Sequence, residues 1–169
     1  MNRRWQTSVG VVLALVYPMT VADALDARQI PKRAETHSFT AELSEVSPWC
    51  DHMPSSGPAQ RRQYLIVKLT VTNHTDEPLQ LSIIQAAISF DEQSQGQVVI
   101  GLSVRGENGL GTGQTTIIVS PQEEMVIDLR GDNLYDEGHH GQQLYLTLTL
   151  SSHAEQVMIR HSGSVLETS

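Results

Sequence analysis

Tyr64 to Asn73 reads Y-L-I-V-K-L-T-V-T-N, and this stretch decides the fold class. Its aliphatic residues fall on odd positions and most of its polar residues on even ones: Leu65, Val67, Leu69 and Val71 against Lys68, Thr70 and Thr72. Successive side chains of a strand point to opposite faces of a sheet. The period of two therefore predicts a β-strand with one buried and one solvated face.

The chain turns after this strand and then changes the parity of its apolar residues. Asp76 and Pro78 predict a turn over 73–78. Apolar residues then occupy odd positions over 79–83 and even positions over 84–90. This switch predicts a β-bulge, or a strand that passes from one sheet to the other. A helix over 84–90 is the alternative, which the β-branched content and the flanking turns disfavour.

Short strand patterns continue on both sides of this region. They are predicted at Phe39 to Leu43, Val98 to Val104, Thr115 to Val119, Met125 to Leu129, Leu144 to Leu150 and Val157 to Ile159. The segment 47–62 holds three prolines and predicts a long loop. Seven or eight short strands without a convincing amphipathic helix predict an all-β fold, an antiparallel immunoglobulin-like β-sandwich. A small closed barrel is the alternative, which the irregular strand spacing and the parity switch disfavour.

Two stretches of the chain share a strand–turn–strand rhythm: V-K-L-T-V-T-N-H-T-D-E-P-L-Q-L at Val67 to Leu81 and V-S-P-Q-E-E-M-V-I-D-L at Val119 to Leu129. This rhythm resembles that of bacterial extracytoplasmic immunoglobulin-like domains. In such domains an Asn often ends a strand ahead of a Pro-Leu pair, and an apolar-x-Pro turn precedes a later strand. The resemblance implies architecture only, because these domains serve in adhesion, chaperoning, metal handling and protease inhibition.

Residues 1–24 have the features of a secretory signal peptide. Two arginines precede the apolar run 9–17, and small residues follow in an Ala-x-Ala spacing that ends at Ala24. Cleavage is expected near Ala24 or Ala27, which gives a periplasmic or secreted protein. The apolar run is about half the roughly 20 residues that a membrane-spanning helix needs, so no membrane insertion is expected.

The chain beyond the signal peptide is expected to form one domain. Residues 28–36 are polar and include Pro31, which suggests a short flexible leader without packing. Residues 37–169 are enough for a single β-sandwich domain with its own core.

The composition limits the partners that the protein can have. The net charge of −8 repels phosphate backbones and anionic lipid, so no nucleic acid and no membrane surface is expected as a partner. Aromatic residues make up 5% of the chain, which argues against a ligand site built on stacked rings. Another exported protein is the expected partner.

The densest group of chemically active side chains lies in the predicted loop 47–62. Cys50, His52 and Met53 offer a thiolate, an imidazole and a thioether, which are ligands that copper(I) prefers, and zinc is possible if a carboxylate joins them. His139 and His140, in a second predicted loop, could complete a metal site if both loops lie at the same end of the sandwich. Otherwise these are polar loops, and Cys50, the only cysteine, is a half-buried thiol.

Three further motifs have structural explanations that compete with functional ones. The glycine-rich segment 105–113 predicts a mobile hairpin loop, or the loop of a protease inhibitor with an immunoglobulin-like fold. The Arg-Gly-Asp sequence at 130–132 matches an integrin-binding tripeptide by chance, with its glycine expected in a turn. Asn73 begins an N-glycosylation sequence, Asn-His-Thr.

The sequence offers little for catalysis. It has no Gly-x-Ser-x-Gly elbow and no His-Glu-x-x-His motif, and Cys50 and His52 point apart if that segment is extended. We therefore expect an exported, non-enzymatic binding or accessory module that acts through its loops or through an edge strand. A periplasmic copper- or zinc-binding protein and a protease inhibitor are the alternatives.

Overall fold

β-Strands make up nearly all regular structure in the described part of the protein. The computed structural model describes residues 26–51, 62–106, 112–135, 138–153 and 155–168. A single 3₁₀ turn, Ala27–Gln29, precedes eleven strands in these ranges: β1 (Arg33–Glu35), β2 (Phe39–Asp51), β3 (Arg62–Asn73), β4 (Leu79–Ser89), β5 (Gln97–Val98), β6 (Ser103–Val104), β7 (Thr116–Val119), β8 (Glu124–Asp132), β9 (Gln143–Ser151), β10 (Gln156–Ser164) and β11 (Leu166–Thr168). The all-β prediction is confirmed. The predicted count of seven or eight is wrong, because β1 and β11 have only three residues each and leave no period in the sequence, and one predicted strand is two, β5 and β6.

The strands form two sheets that enclose one core. The first sheet has the order β1-β2-β3-β8-β6, with β11 also beside β2, and the second has the order β10-β9-β4-β5, with β7 also beside β4. All these pairs are antiparallel except β11, which runs parallel to β2. The prediction of an antiparallel β-sandwich is therefore confirmed.

The alternating stretch 64–73 lies in β3, between β2 and β8 in the first sheet. Its four odd-numbered aliphatic side chains have no solvent exposure, whereas Lys68 is exposed. Strand β9 of the second sheet supplies a matching buried row: Leu144, Leu146, Leu148 and Leu150. Each such leucine contributes about 1.5–3 kcal/mol when it is withdrawn from water, so these two rows hold the sheets together.

The parity switch of the sequence is a bulge inside β4. The pairing of β4 with β9 shifts register between Ile83 and Gln85, and Ile84, at the shift, is 54% exposed. The strand pairs with β9 on both sides of this point, from Ser82 to Ser89. The bulge prediction is confirmed, and the alternatives of a helix or of a change of sheet are wrong.

The predicted strand 98–104 is two strands in different sheets. Val98 of β5 pairs with Ala87 in the second sheet, and Ser103 of β6 pairs with Arg130 in the first. Gly101 lies between them with a φ of 105°, a conformation that side chains disfavour. This glycine thus lets the chain cross from one sheet to the other.

The predicted loop 47–62 begins later than expected, because β2 continues to Asp51. Its pairing with β3 extends to this last residue, which is opposite Arg62. Pro48 lies where β2 borders a gap between its partners β1 and β11, and such edge positions tolerate proline. Cys50 is therefore a strand residue, and 52–61 lie outside the described residues.

The prediction of a flexible leader over 28–36 is wrong. Strand β1 pairs with β2, and the Arg160 backbone N–H donates to the Pro31 carbonyl at 2.8 Å. The Arg160 guanidinium is buried, and it donates to the carbonyls of Ser94 and Asp91 at 2.8 and 3.2 Å. This polar segment packs here because β2 and the backbone N–H of Arg160 satisfy some of its backbone groups.

The two expected signal cleavage points differ in what they leave on the folded domain. Ala27 is fully buried, and the Asp26 carboxylate accepts a hydrogen bond from the Arg28 N–H at 3.1 Å. Cleavage after Ala24 retains these contacts, and cleavage after Ala27 removes them. The predicted signal peptide itself lies outside the described residues. Within the described ranges, no helix has the length and apolar character needed to cross a membrane.

Glu155 ties two loops together, and this contact predicts a pH-dependent stability. Its carboxylate accepts from the Thr36 hydroxyl at 2.8 Å and from the N–H groups of His37 and Ser38 at 3.1 and 3.2 Å. Burial alone would raise the pKa of Glu155, but the hydrogen bonds from Ser38, Thr36 and His37 outweigh it and lower the pKa. A lowered folded pKa stabilises the protein above the unfolded value of about 4.3, and this contribution is lost as the pH falls through the folded value.

We expect Glu155→Gln to destabilise the protein by about 1 kcal/mol at pH 7, because an amide replaces an oxygen that accepts hydrogen bonds. Urea unfolding from pH 7 to pH 3 should show the difference from wild type shrinking with falling pH. Glu35→Gln, on an exposed residue of β1, is the control and should match wild type at every pH. A pH-independent difference for Glu155→Gln would contradict the assignment.

Candidate functional site

Four aromatic rings converge at one end of the sandwich, which we call the loop end. Trp49 lies near the end of β2, Tyr64 near the start of β3, Phe90 directly after β4 and Tyr135 after β8. Only six aromatic residues follow residue 25 in the sequence. The low overall content of rings therefore conceals a local concentration, and the sequence argument against a ring-lined site does not apply here.

Tyr135 is the anchor of the loop end. Its hydroxyl is positioned to donate to the Trp49 carbonyl at 3.0 Å and to the Tyr64 carbonyl at 3.2 Å. The Cys50 thiol lies beside the same hydroxyl. Burial, followed by the neighbouring Cys50 thiol, raises the pKa of Tyr135 above its ordinary value. The hydroxyl therefore stays protonated at neutral pH and remains available as a donor.

An open cleft of about 240 Å³ lies next to Tyr135, and we call it the end cleft. Its apolar lining comes from Ile88, Phe90, Val99, Leu134 and Tyr135, and Ser89, Gln97, Asn133 and His139 add polar groups; most of the exposed lining is polar. Phe90 meets the Tyr135 ring edge-on, with the centroids 6.0 Å apart. The His139 ring stacks on Phe90 with the centroids 3.6 Å apart and the planes 5° apart.

Turn residues on both sides set the position of His139. Gly138 and Gly141 have φ values of 97° and 72°, a backbone conformation that favours glycine. The His139 Nδ1 atom is 3.0 Å from the Gln142 Oε1 atom. The imidazole is thereby held against Phe90, where it presents a planar surface to the end cleft.

A second group of planar side chains lies on the outer face of the first sheet. The rings of Trp49 and Tyr64 stack with their centroids 4.5 Å apart, and the Arg130 guanidinium lies 4.9 Å from the Tyr64 centroid. Arg130 also pairs with Asp132 at 2.9 Å, within β8. Gly131 is a strand residue opposite Leu65, so the expected turn at this tripeptide is wrong. The close approach of Leu134 explains the glycine, because an added Cβ would lie 2.1 Å from the Leu134 Cδ1 atom.

Of the five predicted metal ligands, the structure places two at the loop end. Cys50 lies at the loop end with 6% exposure, and His139 lies at the same end through its contact with Phe90. His140 is exposed. His52 and Met53 lie outside the described residues. Within the described ranges, no three His, Cys, Asp or Glu side chains lie close enough to hold a metal ion.

The glycine-rich segment 105–113 is described only at its ends. Arg105 and Gly106 follow β6, and Thr112 donates its N–H to the Val104 carbonyl at 2.9 Å. Residues 107–111 lie outside the described part of the chain. The hairpin loop and the inhibitor loop that were predicted there both stay predictions.

Sequence reasoning did not identify the end cleft. Phe90 entered only as the last apolar residue of a strand pattern, and Asn133 and Leu134 as part of a turn-rich gap. One signal pointed to this region, the group of chemically active residues from Tyr135 to His140. Its partners at the cleft lie about 40 residues away in sequence, and only the strand pairing brings them close.

The comparisons with known proteins concern the architecture alone. No family model matches the chain, and no curated protein matches it. Among solved structures it is similar to the Bacillus subtilis protein YcdA, a candidate lipoprotein, with 12% identity and a TM-score of 0.44 over 79% of this chain and 39% of that one. The chain thus spans well under half the length of YcdA.

Two further structures cover similar shares of the chain. An uncharacterised β-sandwich protein from Clostridium difficile has 8% identity and a TM-score of 0.40 over 78% of this chain and 90% of that one. A FixG-related protein from Vibrio parahaemolyticus has 13% identity and a TM-score of 0.39 over 74% of this chain and 95% of that one. At these scores the likeness adds nothing to the β-sandwich that the strand pairing establishes.

Proposed function

We propose that the protein is an exported, non-enzymatic binding module whose end cleft receives an aromatic side chain of a partner protein. The observation that carries this proposal is the ring-lined cleft of about 240 Å³ at the loop end. The N-terminal signal features support export to the periplasm or the medium.

The size of the end cleft favours a single ring as its occupant. Pockets for drug-sized molecules and cofactors usually measure about 300–1,000 Å³, and a cavity of about 150 Å³ already holds benzene. The end cleft lies between these sizes, which suits one phenyl or indole group. Phe90, Tyr135 and His139 offer ring faces and edges, and stacked or edge-on ring pairs add about 0.5–1.5 kcal/mol beyond area burial.

The surroundings of the end cleft favour a protein as the source of that ring. Trp49, Tyr64 and Arg130 are side chains of the types that dominate binding energy at protein interfaces. They connect to the cleft through Tyr135, which is bonded to the carbonyls of Trp49 and Tyr64. A partner that inserts a ring into the cleft and also extends over the outer face of the first sheet would meet this planar group.

The test is a titration of the ¹⁵N-labelled protein with N-acetyl-tryptophanamide, followed by amide NMR shifts. We expect saturable shifts confined to Phe90, Asn133 and His139 and their neighbours, with a Kd in the millimolar range because one ring contributes only a few kcal/mol. N-acetyl-leucinamide, which lacks a ring, should bind at least fivefold more weakly.

A variant that fills the end cleft tests the site further, and the same substitution elsewhere is its matched control. Val99→Phe places a ring in the end cleft and should abolish the tryptophanamide shifts, whereas Ile118→Phe, on an exposed residue of β7, should leave them unchanged. Equal shifts with both amides, or shifts that survive Val99→Phe, would refute the proposed site.

A further inference from the structure

A second open cleft lies against the outer face of the second sheet, and we call it the side cleft. It has a volume of about 160 Å³, and most of its exposed lining is polar. The lining comes from β9, β10, the N-terminal turn and the loop after β4, and it includes Tyr145, Arg160, Ser162, Arg28, Ile30 and Glu92. None of these residues lines the end cleft.

The pairing of β9 with β10 places the polar side chains of the side cleft on one face. Tyr145 lies directly opposite Ser162, and Thr147 directly opposite Arg160. Tyr145 and Thr147 alternate along β9 with buried leucines that point into the core. Residues directly opposite each other in a sheet share a face, so all four side chains lie on the outer face.

Arg160 is a buried charge without an ionic partner among the described residues. It is 6% exposed, and two of its five N–H groups donate to the carbonyls of Ser94 and Asp91. The Tyr145 ring centroid lies 4.9 Å from its guanidinium carbon. No carboxylate in the described ranges forms an ion pair with it. Buried charges in proteins are usually paired, so this guanidinium retains both donors and charge for an anion.

The hydroxyl of Thr147, next to Arg160 on the same face, is also unsatisfied. Its Oγ1 atom is buried and has no hydrogen-bond partner in the described part of the chain. Buried polar atoms in native proteins nearly always have a partner, and each exception calls for an explanation. The polar groups around Arg160 are thus not fully satisfied by the residues that the structure describes.

The charges that line the side cleft favour a ligand with one negative charge. Arg28 pairs with Glu92 at 3.3 Å, so these two charges offset each other and that of Arg160 remains. His161 also lines the cleft, and burial, followed by the nearby charge of Lys32, lowers its pKa. The imidazole is therefore neutral at pH 7, and the lining has a net charge of +1 within a chain of net charge −8.

The shape of the side cleft favours a small carboxylate. A guanidinium presents its N–H groups in a planar fork that matches the two oxygens of a carboxylate. Ile30 and the Tyr145 ring add apolar surface beside Arg160. A cavity of about 150 Å³ holds benzene, which has six heavy atoms, so the side cleft has room for a ligand of about that size.

We propose that the side cleft binds a small monocarboxylate, with the carboxylate on the Arg160 guanidinium and a short aliphatic group against Ile30 and Tyr145. The same chemical group occurs in free short-chain acids and at the C terminus of a peptide, and the test includes both sources. The proposal does not depend on the end cleft, because no residue lines both clefts.

The test is a titration of the ¹⁵N-labelled protein with butyrate, followed by the amide signals and the Arg160 Nε–H signal. We expect saturable shifts at Ile30, Arg160 and Ser162, with a Kd in the millimolar range. Butyramide has the same shape without the charge and should bind at least tenfold more weakly. N-acetylvaline presents its carboxylate as a peptide C terminus does. Tighter binding than butyrate would assign the carboxylate to a peptide, and weaker binding would assign it to a free acid.

A charge variant that leaves Arg160 in place tests the site without disturbing the fold. Glu92→Gln removes the carboxylate that pairs with Arg28, and it should tighten butyrate binding at least threefold. Glu123→Gln, on an exposed residue between β7 and β8, removes the same charge elsewhere and should leave the affinity unchanged.

Arg160→Lys keeps the positive charge but lacks the planar fork, and it should weaken butyrate binding at least tenfold. Equal binding of butyrate and butyramide, or an unchanged butyrate affinity in Glu92→Gln, would overturn the proposal. The tryptophanamide titration reports on Phe90, Asn133 and His139 instead, so the two proposals fail separately.

Discussion

Asn73→Ala is expected to destabilise the protein by about 3 kcal/mol or more. Asn73 is 1% exposed, and its Nδ2 atom donates to the carbonyls of Glu77, Val119 and Ser120 at 2.8, 3.2 and 3.0 Å. Its Oδ1 atom accepts from the Thr75 N–H and hydroxyl at 2.9 and 2.8 Å. Alanine would remove all these bonds and leave buried carbonyls without donors, at about 1–3 kcal/mol for each unsatisfied group.

Urea unfolding of Asn73→Ala measures this loss, with Gln80→Ala on an exposed residue of β4 as control. The control should stay within about 0.5 kcal/mol of wild type. If the two variants had equal stabilities, the hydrogen bonds of Asn73 would not hold the turn after β3 to the connection between β7 and β8.

The same geometry explains the glycosylation sequence at Asn73. A glycan is attached through the Nδ2 atom, which is buried here and bonded to three carbonyls. The folded domain therefore has no room for a sugar at this position. Asn73 and Thr75 occur together because Thr75 donates two hydrogen bonds to the Asn73 Oδ1 atom in this turn.

Gly163→Ala is expected to cost about 3 kcal/mol, because β10 crosses β2 at this glycine. A Cβ atom added there would lie 1.8 Å from the Val46 carbonyl oxygen and 2.9 Å from the Pro48 Cδ atom. The first neighbour is backbone, so the strands would have to separate, and overpacking of this kind usually costs about 1–3 kcal/mol or more.

Thermal unfolding checks this prediction, with Ser162→Ala in the same strand as control. The control should remain close to wild type, whereas Gly163→Ala should lower the Tm by more than about 8 °C, since 1 kcal/mol corresponds to about 4–8 °C in a small domain and somewhat less in a larger one. A Tm for Gly163→Ala equal to that of the control would show that β10 and β2 are not in such close contact.

The sequence predicts the long strands well, because their signal is local. In β3 and β9 every second residue is aliphatic over most of the strand, so the period of two appears within eight or nine residues. Strands β1, β5, β6 and β11 exist only because a longer neighbour supplies their hydrogen bonds. Because of Pro48, the sequence places the end of β2 too early. A proline fits inside this strand because neither β1 nor β11 pairs with β2 at position 48.

The candidate site is less predictable, because its parts are far apart in the sequence. Tyr135 reaches carbonyls 86 and 71 residues away, at Trp49 and Tyr64. Cys50 was selected for metal chemistry, and its neighbour in the structure is the Tyr135 hydroxyl. No pattern in the sequence marks Phe90 as the ring on which His139 stacks. Such a site follows from strand register, which short-range periodicity does not specify.

Insertion of a partner's ring into the end cleft is measured most directly by site-specific photo-crosslinking in the exported fraction of the source cells. A benzophenone side chain is introduced at Gln97, which lines the end cleft, and separately at the remote, exposed Gln80. We expect one dominant adduct from Gln97 alone, attached beside an aromatic residue of the partner and lost when Val99→Phe fills the cleft. Identical adducts from both positions, or a Gln97 adduct that persists in Val99→Phe, would contradict this expectation.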